Sequence, residues 1–377
     1  MTLHKLNPEA ASAETRPLSV SLSFQHDFYD LGEAVFKTRA LQAFENAASR
    51  YAIHRLARCA VRRSVQAAFD DLALNSGLAA QRLDRGTLLL ESTGLFVHAD
   101  GRQKAGYCSC TFNVWADGKE RAEVARTTLL QTVGERIAPE EMFVIDWQFS
   151  NARGSLSSAS FEEVVHEVLH DEAYPTLGEP VHQFVHRYLN AKETVLVLQG
   201  SPGTGKTRLV RSVLGAMSRR KGFSAEIMYT ADKRTLENDE IFVEFITGDH
   251  DAFVIEDADH MLMARTNGNQ DLHRFLAIAD GVVRAQGRKI IFTTNLPNIG
   301  DLDEALLRPG RCFQVVRTRL LNCEEVDRLI ARMCPDDPHR RELARASCIP
   351  AGTRSVSVAE VYRACEQVSA ELRLRQT

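Results

Sequence analysis

No run of apolar residues in this 377-residue chain approaches the roughly 20 needed to cross a bilayer. Typical runs are Val195-Leu196-Val197-Leu198 and Ala252-Phe253-Val254-Ile255. None of the eight cysteines falls in a C-x-x-C pair, so the spacing of a dithiol redox motif is missing and the thiols read as small buried hydrophobes. Cys108-Ser109-Cys110 would set two thiols on one strand face, but no metal-ligand partners stand near it in sequence. Neither sign of charge dominates. Lys plus Arg is 46 against 50 Asp plus Glu, net -4, which is not the strongly basic balance of a dedicated nucleic-acid binder. The first twenty residues have no central apolar stretch and carry Glu9 and Glu14, which argues against a secretory or acidic-poor transit leader, so a cytoplasmic protein is expected.

What is present matches an ordinary globular protein: 44% hydrophobic and 25% charged residues, in a length that suggests two or three domains. Residues 1–22 read as a flexible leader. Leu31 to Leu74, rich in Ala, Leu, Arg and Phe, reads as one long helix or two in series, with Arg50, Arg55, Arg58, Arg62 and Arg63 on a solvated face. Short strand patterns follow at 86–91, 95–98 and 107–115, then a helix at 119–133 and an apolar strand at 142–147. These give a small α+β domain over 23–150. The turn-forming Ser150 to Ser158 stretch places a linker at 151–160. From 161 to 318 strand and helix patterns alternate, as in a parallel sheet with helices on both faces, including a helix over Asp271 to Ala285. From 319 to 377 the pattern is a helical lid.

The strongest signal is Gly200-Ser201-Pro202-Gly203-Thr204-Gly205-Lys206-Thr207, a G-x-x-x-x-G-K-T between a predicted strand and a predicted helix. Its glycines let the backbone curl so that successive N–H groups and the helix N-terminus face phosphates. Lys206 brings a cation to the β/γ oxygens, and the Thr207 hydroxyl can take a Mg²⁺ coordination site. About fifty residues on, Ala252-Phe253-Val254-Ile255-Glu256-Asp257 ends an apolar strand in two carboxylates. The usual order is Asp then Glu. Here Glu256 falls on the metal side and Asp257 on the water-polarising side, a register that the length of the strand favours over one placing Ala258 at the water.

The strand Lys289 to Thr294 ends in Asn295, an amide able to bond both the γ-phosphate and the lytic water. Arg308-Pro309-Gly310-Arg311 then places two guanidinium groups three residues apart, suited to stabilising charge on a transferred phosphoryl from across a subunit boundary.

The ordered set GSPGTGKT, FVIEDAD, FTTN and LDEALLRPGR resembles the Walker A, Walker B, sensor 1 and second region of homology of AAA ATPases in the AAA+ superfamily. The resemblance covers about Asp171 to Leu372. It implies a P-loop NTPase α/β fold with a parallel sheet, helices on both faces and a C-terminal helical lid. It also implies ATP and Mg²⁺, and a homo-oligomeric ring of six or seven subunits with nucleotide between neighbours. Within that family, the Glu-Asp order and the Thr230 to Glu240 stretch are most similar to the branch that moves the folded Rieske protein across the mitochondrial inner membrane. No aromatic-hydrophobic-Gly tripeptide lies between Tyr229 and Ala252, so remodelling of a folded protein client is expected rather than threading. Val358-Ala359-Glu360-Val361 stands where the family often has Gly-Ala-Asp-Ile near the adenosine.

Two rivals compete. His166-Glu167-Val168-Leu169-His170 is H-E-x-x-H, which on a helix would set two imidazoles at i and i+4 for a zinc peptidase. A nucleic-acid-processing machine would use Arg50 to Arg63, or Arg340 and Arg341, on phosphates.

Overall fold

The computed structural model describes residues 35, 37–41, 51, 53–104, 106–151, 154–165, 169–263, 287–308, 310–349 and 354–374. The chain divides into two compact units, Met1–Arg136 and Ile137–Thr377.

In the first unit, strands β1 (Ile53–Val61), β2 (Ala79–Arg82), β3 (Thr87–Ser92), β4 (Leu95–Lys104) and β5 (Tyr107–Ala116) form an antiparallel sheet in the order β1-β5-β4-β3-β2. Helices α1 (Val65–Asn75) and α2 (Lys119–Thr132) supply Phe69, Leu72, Ala122 and Leu129 to a core shared with Val97, Cys108, Cys110 and Phe112. Alternation explains the split: Leu88 and Leu90 enter this core, while Leu89 packs with Phe96 and Ala40 in another cluster. Ser64 caps α1, its hydroxyl accepting from the Ala67 N–H at 3.2 Å.

The long helix expected over 31–74 is not continuous. Residues 35 and 37–41 are helical, but Ile53–Val61 is a strand paired along its length with β5. Alanine and arginine favour a helix locally, but the odd-numbered residues Ala57, Cys59 and Val61 have an apolar sheet face to fill, and that tertiary burial overrides propensity. The expected leader over 1–22 lies outside the described residues.

The second unit holds a seven-stranded sheet formed by β6 (Met142–Ser150), β7 (Leu156–Val164), β8 (Val195–Gln199), β9 (Ala225–Thr230), β10 (Ala252–Ile255), β11 (Lys289–Thr294) and β12 (Cys312–Arg317), in the order β12-β8-β11-β10-β9-β6-β7. All neighbours run parallel except the β6–β7 hairpin. The expected boundary and linker differ here. β6 pairs in parallel with β9, and residues 156–160 begin the strand that closes the hairpin. The division between units therefore falls after Arg136, not at 150, because β6 completes its backbone bonds in this sheet.

Strands β8, β10 and β11 are buried along their whole length, as near-continuous apolar runs covered on both faces must be. One face packs helices α3 (Val181–Asn190) and α4 (Lys206–Lys221). The other packs α6 (Asp239–Thr247) and α7 (Asp259–Leu262), with the short α5 (Lys233–Glu237) contributing Leu236. The C-terminal part comprises α8 (Cys323–Met333), α9 (Pro338–Cys348) and α10 (Val358–Leu374), with a two-stranded β13 (Leu321–Asn322) and β14 (Ser355–Val356) ladder. The helix expected over 271–285 lies outside the described residues. No helix among the described residues is long and apolar enough to cross a membrane.

Candidate nucleotide site

Parallel strands deliver their carboxyl ends to one edge of the sheet, and there β8, β10 and β11 converge on a cavity of about 380 Å³. The loop after β8 supplies Pro202, Gly203 and Gly205, and α4 opens with Lys206 and Thr207. Glu256 and Asp257 follow β10, Thr293 and Asn295 come from the end of β11, and Val358 and Ala359 close the rim from α10.

Backbone needs account for the glycines. Gly205 stands at φ 94° as the N-cap of α4, and a side chain at Gly200 would collide with the Thr318 carbonyl oxygen. Among the described residues α4 has no side-chain cap, which leaves its first N–H groups and positive dipole end open to an anion.

Lys206 is 8% exposed, and its ammonium donates to Gly200 O at 2.6 Å, Ser201 O at 3.1 Å and Asn295 Oδ1 at 2.9 Å. Burial pushes its pKa below the ordinary lysine value, against the opposing pull of Asp257, Asp259 and Glu256. The Thr207 hydroxyl donates to Glu256 Oε1 at 2.7 Å, and the Tyr229 hydroxyl donates to Glu256 Oε2 at 2.9 Å. Asn295 Nδ2 donates to Asp257 Oδ1 at 2.9 Å.

Asp257 has φ 51°, the one positive value at a non-glycine position among the described residues. An aspartate tolerates that region better than most side chains. The bend is held by bonds from the Asp257 N–H to Thr293 Oγ1 at 3.1 Å and from the Ala258 N–H to Thr293 O at 2.9 Å. A hydroxyl and a carboxylate side by side on the cavity wall form the hard oxygen pair that suits Mg²⁺, so Thr207 and Glu256 fit that ion.

Residues 196–320 match the protein family described as ATPase family associated with various cellular activities (AAA). The second unit carries an AAA ATPase domain. The chain is similar to the ATP-dependent zinc metalloprotease YME1 homolog of Caenorhabditis elegans, 28% identical over 224 residues, 54% of this chain and 28% of that protein. It is similar to the proteasome-activating nucleotidase of Methanococcus vannielii, 28% identical over 188 residues, 46% of this chain and 41% of that protein. It is also similar to the ATP-dependent zinc metalloprotease FtsH of Acidothermus cellulolyticus, 25% identical over 269 residues, 68% of this chain and 34% of that protein. The chain thus covers less than half the length of each of these relatives.

In the AAA domain the structure brings Pro202, Gly203, Gly205, Lys206, Thr207, Glu256, Asp257 and Asn295 to one cavity. Ser201 is exposed beside it, and Thr204 turns inward, its hydroxyl 2.7 Å from Thr318 Oγ1. Arg308 and Arg311 do not line the cavity. Arg308 is exposed, with no side-chain hydrogen bond or ion pair among the described residues, and Arg311 donates to Ala305 O at 2.8 Å. Pro309 between them lies outside the described residues.

Residues 166–168 of the H-E-x-x-H segment also lie outside. On its flanks Val164 ends a strand, and His170 is extended at φ -98° and ψ 132°, so no helix reaches the second histidine.

Sequence reasoning passed over Tyr229, Thr293, Thr318 and Arg208. The Arg208 guanidinium lies 3.9 Å from the centroid of the Tyr362 ring of α10, and Ala359 N donates to Gly203 O at 2.9 Å. Arg208, beside Lys206-Thr207, was the one within reach of the motif.

Proposed function

We propose that the chain is a subunit of an ATP-hydrolysing ring motor, six or seven copies around, that remodels a macromolecular client, a protein. The observation that carries this reading is the convergence of Lys206, Thr207, Glu256, Asp257 and Asn295 on one cavity at the open end of α4. In it, loop amides and Lys206 hold the β- and γ-phosphates, with the ammonium leaving the carbonyls it now caps. Thr207 and Glu256 would hold Mg²⁺, which when bound supplies positive charge against the phosphate oxygens.

Asp257 accepts a proton from a water that attacks the γ-phosphorus; the bond to the β-γ bridging oxygen breaks and ADP leaves. Asn295, already bonded to Asp257, orients that water. Arg308 and Arg311 serve the site of an adjacent copy, which accords with an exposed Arg308 away from its own cavity. Residues 23–136 recognise the client, and the absence of an aromatic-hydrophobic-Gly tripeptide between Tyr229 and Ala252 favours pushing a folded partner, as in the Rieske-translocase branch.

Mixed assemblies test the seam. Arg308→Ala and Arg311→Ala each keep nucleotide binding and lose hydrolysis by on the order of 10³-fold. Mixing either with Asp257→Asn, itself inactive, restores part of the phosphate release, because some seams then combine an intact cradle with an intact arginine pair. Full turnover by a strictly monomeric chain would overturn the reading.

A further inference from the structure

Glu256 stands where a shorter aspartate is usual, and its extra methylene gives the carboxylate freedom to swing away from Thr207. One direction open to it is apolar. On the far side of Glu256 and Thr207 lies a second cavity of about 410 Å³, lined mainly by apolar side chains such as Phe143, Trp147 and Val254, with Glu163, Arg208 and Arg211 also on its wall. The ring of Tyr229 forms part of that wall.

Strand register sets it there. Tyr229 is the β9 partner of Val254, and Glu256, two residues beyond Val254, shares its side of the sheet. Trp147, in turn the β6 partner of Tyr229, holds the ring edge-on with centroids 6.4 Å apart and planes at 73°. The hydroxyl then reaches Glu256 Oε2 at 2.9 Å while Thr207 takes Oε1 at 2.7 Å. With one donor on each oxygen the carboxylate has a single attitude. Without the tyrosine hydroxyl, Oε2 loses its fixed donor, and the carboxylate is free to turn toward water or toward Arg208 and Arg211 on the wall of that cavity.

We propose that Tyr229 is a positioning residue that fixes the Glu256 carboxylate so that one oxygen is presented, with the Thr207 hydroxyl, to a divalent cation. This rests on the metal-side reading of Glu256 given above and adds the device that lets a glutamate do the work there. Outer partners of this kind typically change metal affinity by 10–100-fold when removed.

The test is equilibrium binding of Mn²⁺ by electron paramagnetic resonance, on the full chain saturated with a non-hydrolysable ATP analogue, beside binding of the analogue in metal-free buffer. Tyr229→Phe keeps the ring and its seat on Trp147. It is expected to weaken Mn²⁺ about 10-fold, with metal-free analogue binding and the unfolding midpoint unchanged. Glu256→Gln weakens Mn²⁺ at least as much, and Tyr229→Phe combined with Glu256→Gln is no weaker than Glu256→Gln alone, because the hydroxyl acts through that carboxylate. Wild-type Mn²⁺ affinity in Tyr229→Phe with a weakened Glu256→Gln overturns the positioning role and leaves the Glu256 reading standing. Additive losses in the double variant also overturn it. Wild-type affinity in Glu256→Gln overturns the metal-side reading and the positioning role together.

Discussion

The two units solve the problem of burying a sheet in opposite ways. In the first, neighbouring strands are antiparallel, so chain ends alternate between the two edges and neither edge collects polar groups. Ser109 is the one buried polar side chain among its described residues. In the second, six parallel strands send their carboxyl ends the same way, and Gln199, Thr230, Thr293 and Thr294 are buried at that end with Lys206 and Thr204 close by. Each has a bond to account for its burial, such as Gln199 Nε2 to Leu296 O at 2.8 Å and the Thr230 hydroxyl to Gln148 O at 2.9 Å. An antiparallel sheet buries apolar surface. A parallel one also manufactures a polar rim, and that rim is where chemistry is placed.

The sharpest way to break this contrast is to load the rim. A magnesium-nucleotide complex at 100 times its Kd should stabilise the second unit by about 2.7 kcal/mol and leave the first unmoved, as read by hydrogen exchange over each unit. Lys206→Ala should weaken nucleotide binding by about 100-fold, since it deletes a charged group with several bonds, and so cut that shift to about 0.4 kcal/mol at the same ligand concentration. A shift spread evenly over both units would end the comparison.

Next comes the mirror experiment. Phe69→Ala, at a fully buried position in the first unit's core, should destabilise that unit by about 3–5 kcal/mol in denaturant. Nucleotide affinity in the second unit should stay at the wild-type value.

The smallest effect is a pH slope. Lys289 is 3% exposed, its ammonium bonded to Ala191 O and Glu193 O, and burial together with Arg220 pushes its pKa down to about 8. The folded protein then releases a proton that the unfolded chain keeps up to its ordinary value of 10.5. Stability of the second unit therefore gains from this residue as pH rises from about 8 to 10.5. The difference between wild type and Lys289→Met, followed by chemical denaturation across that range, should show the slope in the wild type alone.

How much of this was legible depended on whether a residue's task is local. The cradle from Gly200 to Thr207 could be read because phosphate chemistry demands those residues in that order between a strand and a helix. Glu256, Asp257 and Asn295 could be read because each ends an apolar run, and the structure sets Glu256 on Thr207 and Asp257 on Asn295. The β1 strand was hidden, since its Ala and Arg content speaks for a helix and its partner β5 lies some fifty residues away. β6 was read as a strand but its sheet was not: its place beside β9 is a parallel pairing across about eighty residues, which no local pattern records. Tyr229 was invisible for the same reason, because its hydroxyl meets Glu256 only through the register of two strands.

One tie gains meaning from its position in the chain. Thr318, which touches Thr204 and leaves no room for a side chain at Gly200, is the last residue before the C-terminal helical part begins, and Ala359 at the head of α10 grips Gly203. The curl that would wrap the fuel is thus stitched at both of its bends to the portion of chain lying beyond the sheet. Moving that curl therefore strains two contacts at once, one with Thr318 and one with Ala359.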